Sequence, residues 1–257
     1  MDEFTGPGTP LTQDGVDQAV AATGADVASL WSVLEVETSG CGYLSDRRPK
    51  ILFERHFFHR LTDGRFDATD PDVSNPVAGG YGAPGDHQYV RLAAALQLDR
   101  EAALRSASWG LGQIMGDNCV ATGFDRVDDM VSSFVASENE QLLGMANFIA
   151  SSALKQALAT QDWTTFARLY NGPSFAKNRY DERLATAHAR LTNSGPPDLN
   201  LRAAQVYLNY LGKDTGGIDG IAGPKTRQAL QDFQQANNLA PGDGTLTDET
   251  LAALAAA

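Results

Sequence analysis

The sequence predicts a mainly α-helical protein, an α+β domain with a small β region followed by a compact three-helix bundle. Three observations carry this. Apolar residues recur at helical spacing through most of the chain up to Leu191. The stretch Ser194-Gly195-Pro196-Pro197 then stops the pattern and reads as a linker. Beyond it lies a short segment with its own periodicity and an internal repeat. We therefore divide the chain into a first domain at 1–192, a linker at 193–197 and a second domain at 198–257. Of its 257 residues, 42% are hydrophobic and 20% charged, enough for a packed core in each part.

Taken in order, residues 1–10 are acidic and rich in Gly and Pro. They lack the basic start and apolar stretch of a secretory signal. Val27, Leu30, Trp31 and Leu34 mark one face of a helix that ends near Glu37. Residues 51–58 are dense in apolar and aromatic side chains and predict a strand near the core. Residues 71–88, rich in Gly, Pro, Asp and Asn, predict a long loop suited to a cleft wall. Helices are expected at 88–98, 100–106, from 118 onward, and at 127–136, 138–151, 152–158, 163–169 and 178–191.

In the second domain, Leu201, Ala204, Leu208 and Leu211 set one helix, and Thr226, Ala229, Leu230 and Phe233 set another. Pro224 stands at the start of the latter, where its missing N–H costs little. A third helix begins near Thr247, with Asp248 and Glu249 in its first turn. Asp219-Gly220 is followed by Thr226, Ala229 and Leu230, and Asp243-Gly244 is followed at the same spacings by Thr250, Ala253 and Leu254. The repeat suggests a small recognition module, with Asp219, Gly220 and Thr226 as its candidate binding residues. Removing Pro196 to Ala257 is expected to leave the first domain folded.

The net charge of -12 argues against nucleic acid, which needs clustered Lys and Arg, and against attraction to anionic membranes. No apolar run approaches the ~20 residues that cross a bilayer, so no membrane insertion is expected. Cys41 and Cys119 are expected to be two reduced thiols. His56 and His59 are three apart with no third ligand nearby, so no metal and no cofactor is expected.

The chemistry centres on Glu37. It lies three residues past Leu34 and seven past Leu30, at the border of the apolar stripe and near the helix C-terminus. Burial and the helix dipole would both favour its protonated form. Such an acid is what cleavage of a glycosidic bond requires. Glu35 borders the same stripe beside Trp31, so periodicity alone does not separate the two. Downstream, Ser108, Gly110 and Gly112 are small residues that let a ligand or another backbone come close. Gln113 offers a donor and an acceptor to sugar hydroxyl or N-acetyl groups. Tyr170-Asn171-Gly172 ends a helix with an aromatic that can stack on a sugar.

In order, Glu37-Thr38, Gly110-Leu111-Gly112-Gln113 and Leu169-Tyr170-Asn171-Gly172 resemble the lysozyme-like superfamily of goose-type lysozymes and soluble lytic transglycosylases. The departures are Thr38 for Ser, Gly112 for Met and Leu169 for Ala. Narrower blocks resemble the N-acetylmuramidase family of phage endolysins. They are Arg48-Pro49-Lys50-Ile51-Leu52-Phe53-Glu54-Arg55-His56, Ser74-Asn75-Pro76, Gly79-Gly80-Tyr81-Gly82 and Ala102 to Leu111. The tail, with Asp219-Gly220-Ile221-Ala222-Gly223-Pro224-Lys225-Thr226, is similar to the three-helix peptidoglycan-binding domain of wall hydrolases.

The resemblance implies a lysozyme-like fold and a peptidoglycan hydrolase that cleaves the β-1,4 bond between N-acetylmuramic acid and N-acetylglucosamine. It implies Glu37 as general acid, with substrate contacts at Thr38, Ser108, Gln113, Tyr170 and Asn171. Asp46, in the loop after the helix, is favoured for the second carboxylate, and Glu54 for a supporting role. The alternatives are a lytic transglycosylase that forms anhydro-muropeptides and a non-catalytic wall-binding virion protein. The expected partner is bacterial peptidoglycan, met by a monomer. The chain is expected to stay in the host cytoplasm until release, aided by a holin, and then to act on periplasmic peptidoglycan.

Overall fold

The structure is a computed structural model and describes residues 2–38 and 40–257. Local signals start the fold. Thr12 accepts from Gly15 N at the head of α1 (Gln13–Thr23), and Gly24, at φ 69°, ends that helix by donating to Val20 O. Asp26 accepts from Ser29 N at 2.7 Å and opens α2 (Val27–Thr38). Leu30, Val33 and Leu34 of α2 are buried, and each such side chain contributes about 1.5–3 kcal/mol.

The chain continues through β1 (Ile51–Phe53), α3 (Arg55–Leu61), α4 (Asp86–Leu98), α5 (Arg100–Arg105), β2 (Ala107–Trp109) and β3 (Ile114–Met115). Then follow α6 (Cys119–Thr122), α7 (Val127–Ala136), α8 (Glu138–Ala150), α9 (Leu154–Ala159), α10 (Trp163–Tyr170) and α11 (Tyr180–Ser194). The three strands form one antiparallel sheet in the order β1-β2-β3, with Leu52 opposite Ser108 and Trp109 opposite Ile114. One apolar core gathers α1, α2 and α8 to α11 around Leu30, Leu34, Met145 and Phe166. A second packs α3, α4, α5 and α7 on the sheet around Phe53, Phe58, Leu104 and Trp109.

The expected strand at 51–58 is corrected. It stops at Phe53, and a helix begins at Arg55 with Phe57 N and Phe58 N donating to Glu54 O. The switch buries both Phe53 and Phe58, whose ring centroids lie 6.1 Å apart. A continued strand would send residues an odd number apart to opposite faces. The segment at 118 gives only the single turn α6, because Gly123, at φ 101°, ends it. Cys41 and Cys119 are both buried and free. Among the described residues, no single helix is long and apolar enough to cross a membrane.

The expected linker at 193–197 starts inside a helix, since α11 runs to Ser194 and the break begins at Gly195. Beyond it, α12 (Leu199–Tyr210), α13 (Pro224–Ala236) and α14 (Asp248–Ala256) close around Leu201, Leu208, Leu230, Phe233 and Leu254. The internal repeat has a physical basis in two buried glutamines. Gln205 Oε1 accepts from Asp219 N at 3.0 Å and Gly220 N at 2.8 Å, and its Nε2 donates to Thr226 Oγ1 at 3.1 Å. Gln234 Oε1 accepts from Gly244 N at 2.9 Å, and its Nε2 donates to Thr250 Oγ1 at 3.1 Å. Of the three candidate binding residues, Gly220 and Thr226 are buried, whereas Asp219 is exposed and also accepts from Ile221 N of its own turn at 3.0 Å.

The two domains meet through a buried ion pair. Glu138, the first residue of α8, and Arg202 of α12 have side chains 0% and 1% exposed, and their closest approach is 2.7 Å. Burial alone would raise the Glu138 carboxyl, but Arg202 and the N–H groups of Gly42 and Leu11 bring it below the ordinary value. Around the pair, Val206 packs on Cys41 and Tyr43, and Tyr210 donates to Gly8 O at 2.8 Å. Deleting the second domain would take Arg202 away from Glu138, so the first domain, expected to stay folded alone, should do so at lower stability. Breaking such a pair costs about 3–5 kcal/mol. A chain ending at Ser194 should therefore unfold in urea at a lower midpoint than the first domain of the full chain. Coincident midpoints would refute the coupling.

Candidate active site

The last turn of α2 carries Glu37, and the surrounding elements treat it differently from Glu35. Glu35 is half exposed and pairs with Arg190 of α11. Glu37 is largely buried, and its Oε1 accepts from Asn171 Nδ2 at 2.8 Å. Burial raises its carboxyl above the ordinary glutamate value, against the opposing pull of the Asn171 bond and the Arg183 charge. The sequence expectation of a raised acid is met, but burial does the raising. Two cations sit on the free carbonyls of this helix end, where they offset the dipole. Lys50 Nζ donates to Thr38 O at 3.2 Å, and Arg183 donates to Val36 O at 3.0 Å.

Asn171 is placed by the end of α10, where its own N–H still donates to Ala167 O. Its Oδ1 is buried and has no hydrogen-bond partner among the described residues. Tyr170, the residue before it, donates to Gly112 O at 2.6 Å. Its ring stacks on Phe166 at 5.3 Å and meets Phe148 edge-on at 6.0 Å. Thus Glu37, Asn171, Tyr170 and the Gly110-to-Gln113 turn are joined across three elements. Gly112 permits this because an added Cβ would fall 2.8 Å from Met145 Cβ.

Other expected substrate residues are committed inside the protein. The Thr38 hydroxyl is buried and donates to Leu34 O at 3.0 Å. Ser108 is buried and donates to Gln113 Oε1 at 3.0 Å. Gln113, at φ 48°, donates to Gly110 O at 2.9 Å and Lys50 O at 3.2 Å, so its amide holds the β2–β3 turn against the start of β1.

Among the described residues, the partner of Asp46 is Arg48. Its carboxylate is 47% exposed and accepts from Arg48 N and Nε, while Arg48 also binds Asp86. Glu54, at the end of β1, is the more enclosed acid. Its side chain is 15% exposed, and Oε1 accepts from Tyr81 OH at 3.2 Å. Oε2 lies 3.1 Å from His56 Nδ1, yet neither atom has a well-formed hydrogen bond among the described residues. Burial raises the Glu54 carboxyl above its usual value, against His56, Tyr81 and Arg91. Sequence reading missed Arg183, Lys50 and the Tyr81 contact. Lys50 and Tyr81 lie in blocks that resemble the N-acetylmuramidase family, but nothing in the sequence assigned them or Arg183 a role beside Glu37 or Glu54.

The geometry stands beside clear likenesses. The N-acetylmuramidase family model matches residues 26–192, and a peptidoglycan binding domain model matches residues 198–254. Among solved structures, the crystal structure of the Burkholderia AP3 phage endolysin is 38% identical, with 72% of each chain covered and a TM-score of 0.67. No curated protein matches the chain. A buried acid on a helix end, faced by an Asn and a Tyr, is thus found within a matched catalytic family and ahead of a matched wall-binding module. The chain belongs to the N-acetylmuramidase family and is a peptidoglycan hydrolase, a lysozyme-like glycoside hydrolase with a peptidoglycan-binding domain behind it.

Proposed function

We propose that Glu37 is the general acid that protonates the glycosidic oxygen between N-acetylmuramic acid and N-acetylglucosamine, and that the chain acts as a phage endolysin. The observation that carries this is the environment of Glu37. Burial lifts its carboxyl above the ordinary value, while Asn171 fixes one oxygen by a 2.8 Å bond. The leaving sugar oxygen needs a proton as its bond breaks, and a buried carboxyl is suited to supply one. Asn171 Oδ1, buried and unpartnered, is an acceptor for a substrate N–H or a water. Within this proposal the chain works as a monomer on periplasmic peptidoglycan, after a holin opens the way from the host cytoplasm.

For the second carboxylate, Glu54 has the better environment, since it is enclosed and one of its oxygens is unpartnered. Asp46 is held in a surface cluster with Arg48 and Asp86. For wall contact, the tail offers a groove of about 400 Å³ lined by Asn200, Arg227, Thr245, Thr247 and Leu251. With 4 Lys plus Arg against 7 Asp plus Glu in residues 198–257, it would bind the wall by hydrogen bonds and apolar contact rather than by bulk charge.

Glu37→Gln should remove release of soluble sugar from sacculi and leave the fold intact. The products of the wild-type chain should carry the mass of one added water, and anhydro products would replace hydrolysis with transglycosylation. A carboxyl with a raised folded value contributes stability that is lost as pH rises through that value. Glu37→Gln should therefore melt above wild type at neutral pH, and an equal or lower Tm contradicts the burial argument. Asn171→Ala removes a bond that favours the ionised form, so the alkaline limb of the activity profile should move to higher pH. An unmoved limb, or one moved to lower pH, would count against the role of Asn171. Glu54→Gln should cost more of kcat than Asp46→Asn, and the reverse order would return Asp46 to the site.

A further inference from the structure

The loop that follows Glu37 is held from the other domain. Arg202 of α12 donates through Nη1 to Glu138 Oε2 at 2.7 Å and through Nη2 to Glu138 Oε1 at 2.9 Å. Nη2 also donates to Gly40 O at 2.6 Å. Glu138 in turn accepts from Gly42 N at 2.8 Å and from Leu11 N at 2.9 Å. Gly40 and Gly42 are thus fixed by one fork, three and five residues beyond Glu37 in the chain. The guanidinium also lies 5.8 Å from the ring centroid of Trp31, on the helix that carries Glu37. The approach is close on the far side as well. A Cβ on Gly40 would fall 2.0 Å from Ile218 O, so the second domain's backbone rests directly on this loop.

We propose that Arg202 is a positioning residue of the active site, supplied by the wall-binding domain. It acts through the Gly40 carbonyl and through Glu138, and it fixes where the end of α2 presents Glu37. The wall-binding domain is then part of the catalytic apparatus as well as a tether. The inference rests on the reading of Glu37 as the acid. A bidentate guanidinium suits this task, because a lysine ammonium has a single nitrogen and cannot serve both carboxylate oxygens and a carbonyl in the same planar fork.

The test uses the full chain and a soluble glycan fragment of peptidoglycan, too short to need wall anchoring. Arg202→Lys and Arg202→Met should lower kcat, with Met the more severe at roughly 10- to 100-fold, while KM changes little. Pelleting with sacculi should be unchanged in both. Tyr210→Phe, which removes the bond to Gly8 O elsewhere in the same interface, should keep wild-type kcat even where it lowers Tm. Wild-type kcat in folded Arg202→Lys overturns the inference, and so does a kcat loss in Tyr210→Phe that matches it at equal loss of Tm. If Arg202→Met does not fold, the comparison of Arg202→Lys with Tyr210→Phe decides. Glu37→Gln on the same fragment keeps the two claims apart. An inactive Glu37→Gln beside a fully active Arg202→Lys sinks the positioning role alone, and an active Glu37→Gln sinks the assignment of the acid.

Discussion

The carboxylate of Glu138 takes four donors: the backbone N–H groups of Leu11 and Gly42 and both arms of Arg202. They come from the N-terminal segment, the loop after α2 and the second domain, three stretches far apart in the chain. Because the side chain is fully buried, none of these donors can be given up to water without leaving a charge stranded. The pair thus ties the segment before α1, the loop beyond Glu37 and α12 into one arrangement. Apolar contacts of Val206 with Cys41 and Tyr43 fill the space around it.

At the other end of that loop, Glu37 balances opposing forces. Burial disfavours its charge, whereas Asn171 and Arg183 favour it. Lys50 and Arg183 take up the carbonyls at the end of α2, so the helix dipole is largely answered before it reaches the carboxyl. The result is a group above its ordinary value yet held in place by a hydrogen bond. Both features are wanted in an acid that must keep a proton and then deliver it to one atom.

The sequence made the helices legible because their apolar residues recur at one period, and it made the domain break legible through Pro196 and Pro197. It did not separate strand from helix at 51–58, since a short run dense in apolar and aromatic residues fits a buried strand or a buried helix equally well. For the site, Glu37, Tyr170 and Asn171 were legible from their blocks, and the structure joins them. Periodicity alone did not separate Glu37 from Glu35, and their different surroundings were not legible. They depend on Arg190 and Asn171, which lie more than a hundred residues downstream. Thr38, Ser108 and Thr226 looked like ligand contacts because they are polar and sit in motifs. Their hydroxyls close backbone or side-chain bonds inside the fold, a role that spacing does not distinguish from binding.

The acidic balance of both domains leaves wall recognition to local chemistry, and the proposed acid is Glu37, whose carboxyl burial raises above the ordinary value. The most direct measurement of this account is the titration of Glu37 itself, followed by carbon NMR of side-chain-labelled glutamate in the full chain and assigned with Glu37→Gln. The account predicts a midpoint above the ordinary glutamate value. A midpoint at or below that value would contradict it.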